Sequence, residues 1–263
     1  MAESLLRLLV IAGSDSSGGA GIHADLKTAQ AFGVYAQTAI TAVTVQDTNG
    51  VASVNPVTPN IVRDQIRAAL KDIGADAIKI GMLGNGEIAG AVADALEGCA
   101  IPLVLDTVLL SSSGAALLDE AGIAVLKDRL MRRAALVTPN LPEAEVLAGM
   151  RVAEPEDMEE AARRIHLMGP RYVLVKGGHL KGDATDLLWN GREFTRFSTP
   201  RIDSQNTHGT GCTFSAAIAA GLARGQALGD AIRSAKAYVT RAIREGFKAG
   251  RGVGQLRHFI PDW

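Results

Sequence analysis

Aromatic side chains are scarce in this chain, 4% of 263 residues, although 47% of its residues are apolar. Its core must therefore be drawn from Ala, Val, Leu and Ile, which suits helices packed on a mostly parallel sheet. An excess of either charge is also missing: 27 Lys and Arg face 28 Asp and Glu, for a net charge of -1. No basic field exists to hold nucleic acid or an anionic membrane. Cysteine is nearly absent; Cys99 and Cys212 are too few for a disulfide framework and fit a reducing compartment. No apolar run reaches the length of a bilayer span, and residues 1–6 lack the features of a secretory signal, so a cytoplasmic location is expected. Neither G-x-G-x-x-G nor G-x-x-x-x-G-K-[ST] occurs. Two common nucleotide-binding folds are thereby disfavoured.

What is present is a regular alternation. Apolar runs at Leu5–Ala12, Ala36–Gln46, Ala77–Gly84, Ile101–Asp106, Ala134–Thr138 and Arg171–Lys176 read as strands, and segments of helical periodicity separate them. Thr185–Trp189 and Phe194–Phe197 flank Asn190-Gly191, a hairpin signal. No low-complexity linker interrupts the series, so residues 1–263 read as one doubly wound α/β domain. The strands leave at Gly13, Gln46, Gly81, Asp106, Asn140 and Gly177. If they run parallel, those exits line one edge of the sheet, where ligands bind in open α/β folds.

The stretch Asn206-Thr207-His208-Gly209-Thr210-Gly211-Cys212-Thr213 feeds an uncharged helical run to Ala223. A small-residue turn at a helix N-terminus leaves N–H groups unpaired at the positive end of the dipole, which makes an anion site. The same turn also serves where a strand and helix only need to pack closely. A thiol in that first turn has its thiolate favoured, so Cys212 is expected to titrate near neutrality and to serve phosphoryl transfer. Lys176, at the end of a buried strand, needs an anionic partner, and a phosphate would supply one. Glu143, just after Pro142, is explained either by the helix dipole or by convergence with Asp106 on a hydrated Mg²⁺. Gln46 reads as a loop-capping amide or as a reader of a heterocycle, and Met82 as a core filler. Lys236, with Arg233, Arg241 and Arg244, belongs to the solvated face of the last helix, or reaches a nucleotide. His258, in the glycine-rich tail, reads as structural.

Six blocks, in order, resemble the hydroxymethylpyrimidine kinase and phosphomethylpyrimidine kinase family of thiamine biosynthesis, within the ribokinase-like superfamily. They are residues 12–22, Ala24-Asp25-Leu26-Lys27-Thr28, Lys79-Ile80-Gly81-Met82-Leu83, Thr138-Pro139-Asn140-Leu141-Pro142-Glu143-Ala144, Lys176-Gly177-Gly178-His179-Leu180 and residues 206–213. The resemblance implies a three-layer αβα sandwich with a mostly parallel central sheet and a small hairpin flap. It also implies a homodimer that uses Mg·ATP to phosphorylate 4-amino-5-hydroxymethyl-2-methylpyrimidine and then its monophosphate. On that basis Gly13, Ala20, Gln46, Met82 and Val108 line the pyrimidine pocket, with Asp25 nearby. Asp106 and Glu143 serve the metal, and Asn140, Lys176 and Thr207 face the ATP phosphates. Gly209, Thr210, Gly211 and Cys212 form the anion hole, with Cys212 as base.

Four positions depart from the commonest family pattern: His23 for Gln, Asp47 for Asn, Thr107 for Pro and Ser112 for Lys. Asp47 is expected to add negative charge near an incoming phosphate and Ser112 to remove a phosphate contact, which weighs against the second phosphorylation. Three other readings compete. Pyridoxal is the nearest alternative substrate on the same fold. A cysteine hydrolase would pair Cys212 with His208. A vitamer sensor would keep the fold without the chemistry.

Overall fold

A strand buried on both faces must carry apolar residues to both sides, and β1 (Arg7–Ala12) does so. Leu9 and Ile11 join one core cluster, while Leu8, Val10 and Ala12 join the other. The same rule governs β5 (Ala77–Ile80), β6 (Leu103–Leu105), β7 (Leu136–Val137) and β8 (Tyr172–Lys176). With β2 (Tyr35–Ile40), β9 (Ala184–Trp189) and β10 (Phe194–Thr199) they form one sheet of order β10-β9-β8-β7-β6-β5-β1-β2. Pairing is parallel from β2 to β8 and antiparallel at β8–β9 and β9–β10. The hairpin expected around Asn190-Gly191 is there, and it extends the main sheet. This computed structural model describes residues 5–110, 114, 116–178, 182–260 and 263. Ser112 and the turn Ser111–Ser113, together with His179 and Leu180 of the fifth block, lie outside the described residues.

Helices cover both faces of the sheet. On one side lie α2 (Pro59–Asp72), α3 (Gly86–Ala95), α4 (Glu120–Val125) with its wide-turned continuation Leu126–Leu130 and α5 (Met131–Arg133), then α6 (Leu141–Ala148) and α7 (Pro155–His166). On the other lie α1 (Gly21–Ala31), α8 (Thr210–Ala223) and α9 (Leu228–Arg244). The architecture is a helix–sheet–helix sandwich.

One expected strand divides in two. The run Ala36–Gln46 breaks at Thr41, whose hydroxyl donates to the Met82 carbonyl at 2.7 Å. Beyond that break, β3 (Ala42–Asp47) leaves the main sheet and pairs antiparallel with β4 (Gly50–Pro56) as a separate two-stranded flap. Asp47, Thr48, Asn49 and Gly50 make its turn, and the Asp47 carboxylate accepts the Asn49 and Gly50 N–H groups. Asp47 is therefore exposed and engaged in the turn. The strand order reverses at β1, which pairs with β2 on one side and β5 on the other, and a crevice opens beyond such a switch point.

Candidate active site

A cavity of about 830 Å³ opens at the carboxyl ends of the parallel strands. Following the strand order, Gly13 and Met82 come just after β1 and β5, Asp106 just after β6, and Asn140 and Lys176 from β7 and β8. All of them line the cavity, as do Ala20, Gln46, Val108, Glu143 and Thr207, and Gly209, Thr210, Gly211 and Cys212. Fourteen positions expected from the sequence thus meet in one place. Gly13 leaves room for the Met82 side chain, since a Cβ on it would stand 2.9 Å from the Met82 sulfur. Met82 is both core, at 9% exposure, and cavity wall.

Asp25 is the exception. It is fully buried in α1 and forms an ion pair with the equally buried Lys79 at 2.9 Å, below the cavity rather than in its wall. Its other oxygen, Oδ1, has no hydrogen-bond partner among the described residues. Sequence reasoning passed over Lys79, although a lysine in Ala-Ile-Lys-Ile, a strand buried along its whole length, has to find a carboxylate.

The two glycine-rich turns differ in what they offer. In the first, the Asp15 carboxylate already accepts the N–H groups of Ser17, Gly19 and Ala20, at 2.8, 3.2 and 2.8 Å. That turn carries its own anion. Burial pushes the Asp15 carboxyl up, but hydrogen bonds from His208 and Ser17 outweigh it and bring the group down to about 2. In the second, Gly209 caps α8 with φ 79° and no side chain caps the helix. The amides of Gly211 and Cys212, in the first turn, have no intrahelical acceptor. This turn offers its amides to an anion, and a Cβ on Gly211 would be 3.5 Å from Lys176 Nζ and 3.9 Å from Asp106 Oδ2.

Charge is concentrated around that point. Lys176 Nζ donates to Asp106 Oδ1 at 2.9 Å, Thr138 Oγ1 to the same oxygen at 3.0 Å, and Ser215 Oγ to Oδ2 at 3.1 Å. Burial pushes the Asp106 carboxyl up, yet Lys176 and Lys79 outweigh it and hold the group below the usual carboxylate range. Glu143 behaves in the opposite way: burial, opposed by Lys176 and reinforced by Asp106, raises it to about 7. Its Oε2 accepts the Thr107 hydroxyl at 3.2 Å and the Asn140 N–H at 2.8 Å, while Asn140 Oδ1 accepts the Glu143 N–H. Thr107 thus supplies a hydrogen bond that the proline of the family pattern could not. The Asn140 oxygen is committed as a helix cap, which leaves the amide NH₂ as its donor to a ligand.

Three expectations are corrected. Cys212 is not poised near neutrality: burial, offset by Lys79 but reinforced by Asp25 and Asp106, pushes its thiol up to about 11. The helix N-terminus does not outweigh desolvation. Cys212 and His208 form no nucleophile–base pair either, because the His208 ring is turned to Asp15, Ser17 and Gln46. Lys236 is buried and donates to Asp186 Oδ2 at 2.6 Å, so it does not belong to a solvated face. His258 holds Thr213 Oγ1 at 2.9 Å from the buried tail, as a structural residue would. Among the described residues no group of three or more His, Cys, Asp or Glu side chains is set to hold a metal alone, and no helix is long and apolar enough to cross a membrane.

Comparison with known proteins agrees with the geometry. The chain is 49% identical to the thiamine biosynthesis bifunctional protein of Geobacter sulfurreducens over 96% of its own length, and spans about half, 52%, of that protein. It is 46% identical to the hydroxymethylpyrimidine/phosphomethylpyrimidine kinase of Streptomyces coelicolor, covering 95% of this chain and 93% of that one. Among solved structures, an ADP complex of Bacillus subtilis pyridoxal kinase superposes with a TM-score of 0.90 at 39% identity, over 97% of this chain and 98% of the other. The phosphomethylpyrimidine kinase family model matches residues 15–257, from the first glycine turn to the buried tail, and this chain belongs to that family.

Proposed function

We propose that the protein transfers the γ-phosphoryl group of ATP to the hydroxymethyl group of 4-amino-5-hydroxymethyl-2-methylpyrimidine, and then phosphorylates the monophosphate to the diphosphate, in thiamine biosynthesis. The observation that carries this reading is the continuity of the cavity. One cavity is lined by Gly13, Ala20, Gln46, Met82 and Val108, which suit a small heterocycle, by Asn140, Lys176 and Thr207, which suit phosphates, and by Gly209–Cys212.

Phosphoryl transfer asks the protein for position and charge rather than covalent chemistry. The pyrimidine hydroxyl attacks the γ-phosphorus in line as the bond to the β-phosphate oxygen breaks. The free amides of α8 meet the charge on the transferred oxygens. Lys176, paired with Asp106 at 2.9 Å, is a cation that a triphosphate in the cavity would draw to itself. The attacking hydroxyl loses its proton late in such a loose transition state. Cys212, protonated in the resting pocket, takes that proton in one of two ways. Either its small thiolate fraction acts as the base, or the neutral thiol relays, giving its own proton to a transferred phosphoryl oxygen as it receives the hydroxyl's. The monophosphate acceptor is already ionised and needs neither.

Asp106 and Glu143 fit Mg²⁺ held through its waters. They are two buried carboxylates lining the cavity, each partly engaged by protein donors, and Glu143, raised chiefly by burial and further by Asp106, is a group whose ionised form a cation would favour. When bound, the ion would supply charge neutralisation to the phosphates. The reading includes a cytoplasmic homodimer: the flap turns Val43 and Val45 outward, 51% and 56% exposed, an apolar strip that a second subunit could cover.

Pyridoxal phosphorylation is the second reading, favoured by the likeness to the Bacillus subtilis enzyme. ATP consumption measured side by side with hydroxymethylpyrimidine, its phosphate and pyridoxal separates the two. Turnover with pyridoxal at higher kcat/KM than with either pyrimidine would overturn the first reading.

A further inference from the structure

Gln46 sits where strand β3 passes the cavity, and its backbone is fixed from both directions. Ser16 Oγ donates to the Gln46 carbonyl at 2.6 Å and accepts the Gln46 N–H at 2.8 Å. The side-chain amide remains free to turn about its last bond, and the two orientations offer a ligand opposite chemistry: an NH₂ donor or a carbonyl acceptor. What lies beside the amide decides between them.

Beside it lies His208, which also lines the cavity. Its Nε2 is 2.8 Å from Asp15 Oδ2 and 3.5 Å from Gln46 Nε2, and a half-turn of the amide exchanges that nitrogen for the oxygen. A carboxylate only accepts, and Asp15 is ionised, held at about 2. A lone pair on Nε2 facing it at 2.8 Å would be repelled, so Nε2 carries the proton. The Gln46 NH₂ turned toward that N–H would set two donors face to face; the carbonyl turned toward it is attracted. The backbone that carries the ring is held, since the His208 main-chain N–H donates to the Gly254 carbonyl at 3.2 Å, and the ring's Cδ2 packs against Gly19, where an added Cβ would stand 2.6 Å from it.

We propose that His208, oriented by Asp15, sets the Gln46 amide with its oxygen toward the imidazole and its NH₂ toward the cavity, so that the pocket selects an azine presenting an acceptor ring nitrogen at that position. His208 is a positioning residue: it acts on the ligand through Gln46. The proposal rests on the pyrimidine kinase reading and deepens it, since it assigns which partner the pyrimidine must offer.

The test compares hydroxymethylpyrimidine with the two aminopyridines in which one or the other ring nitrogen is replaced by CH. Wild-type protein is expected to discriminate against one of them in kcat/KM by about 10-fold or more, the effect of leaving a buried donor unpaired. In His208→Ala the amide is released, and that ratio should fall to within about threefold of unity. The change should appear in the KM for the pyrimidine and leave the KM for ATP unaffected. His208→Gln, whose Nε2 can reach Asp15 in place of the imidazole nitrogen, should restore the discrimination. A merely structural role would lower kcat for all three compounds together and leave the ratio unchanged in both variants, which overturns the proposal. Equal use of the three compounds by wild type overturns it too. No turnover of any of them by wild type, with pyridoxal consumed, sinks the underlying pyrimidine reading instead. If His208→Ala fails to fold, the ratio in His208→Gln and in Asp15→Asn decides, because Asp15→Asn frees Nε2 of its obligatory proton and should also relax the ratio.

Discussion

Replacing Cys212 by alanine separates a proton acceptor from a wall residue, because the two phosphorylations differ in whether a proton must be removed. With the thiol pushed up to about 11, the thiolate is about one part in 10⁴ at pH 7. A preformed thiolate base would therefore drive the first step with a rate rising about tenfold per pH unit from 7 to beyond 10. A neutral thiol that relays the proton to a phosphoryl oxygen would give no such slope near pH 7. Under either mode, Cys212→Ala is expected to slow hydroxymethylpyrimidine phosphorylation by about 100-fold or more, the usual contribution of a positioned base. The second step, whose acceptor is already an anion, should be nearly unchanged. Single-turnover rates on each acceptor, measured in wild type and variant across pH 6–10, read both quantities at once. Equal losses in the two steps would refute the base assignment. Alkylation of Cys212 by iodoacetamide, followed by peptide mass so that Cys99 is resolved, gives an independent check. Its rate should keep rising through pH 10, and a plateau near pH 8 would refute the argument that burial outweighs the helix N-terminus.

Gly209→Ala places a methyl group against the Gly19 carbonyl at a residue with φ 79°. It should part the two glycine-rich turns, lower kcat by about 100-fold and depress the melting temperature; a variant with wild-type kcat would show that the anion hole lies elsewhere. Lys176→Met removes the cation beside Asp106 and should raise the KM for ATP and cut kcat by about 10²- to 10³-fold, with the KM for the pyrimidine unchanged. Lys79→Met leaves Asp25 as a lone buried carboxyl and should cost about 3–5 kcal/mol in urea unfolding, whereas adding Asp25→Leu should recover most of that loss.

Most of the site was legible because it is built from local signals at strand ends. Gly13, Asp106, Asn140 and Lys176 each come at the end of an apolar run, and parallel pairing brings such exits to one edge regardless of the loops between them. The flap was legible too, in principle, from Asn49-Gly50 between two β-prone runs, but the continuous small and β-branched pattern through Thr41 hid the break that sends β3 out of the sheet. The charges were harder. Lys236 lies four residues after Ile232 and next to Ala235, on the buried face of α9, so helical spacing already placed it inward; its string of basic neighbours suggested solvent. Lys79 and Asp25 are 54 positions apart and meet only because β5 lies beside β1 under α1.

The thiol of Cys212 shows why such distant pairings matter for chemistry and not only for folding. Judged by its neighbours in sequence, a cysteine in the first turn of a helix should be acidic. In the folded chain it shares its surroundings with Lys79, Asp25 and Asp106, which pull in opposite directions, and desolvation exceeds them all. The balance shifts only when a ligand changes the charge in the cavity. A triphosphate drawing Lys176 away from Asp106 raises the negative potential around the thiol and makes it less acidic still. The thiolate fraction then falls further, while the proton held on sulfur stands ready for a phosphoryl oxygen that gains charge in the transfer. The burial that holds the proton on Cys212 therefore favours the relay over the preformed base, and a first-step rate that is flat from pH 7 to 9 is the outcome it requires.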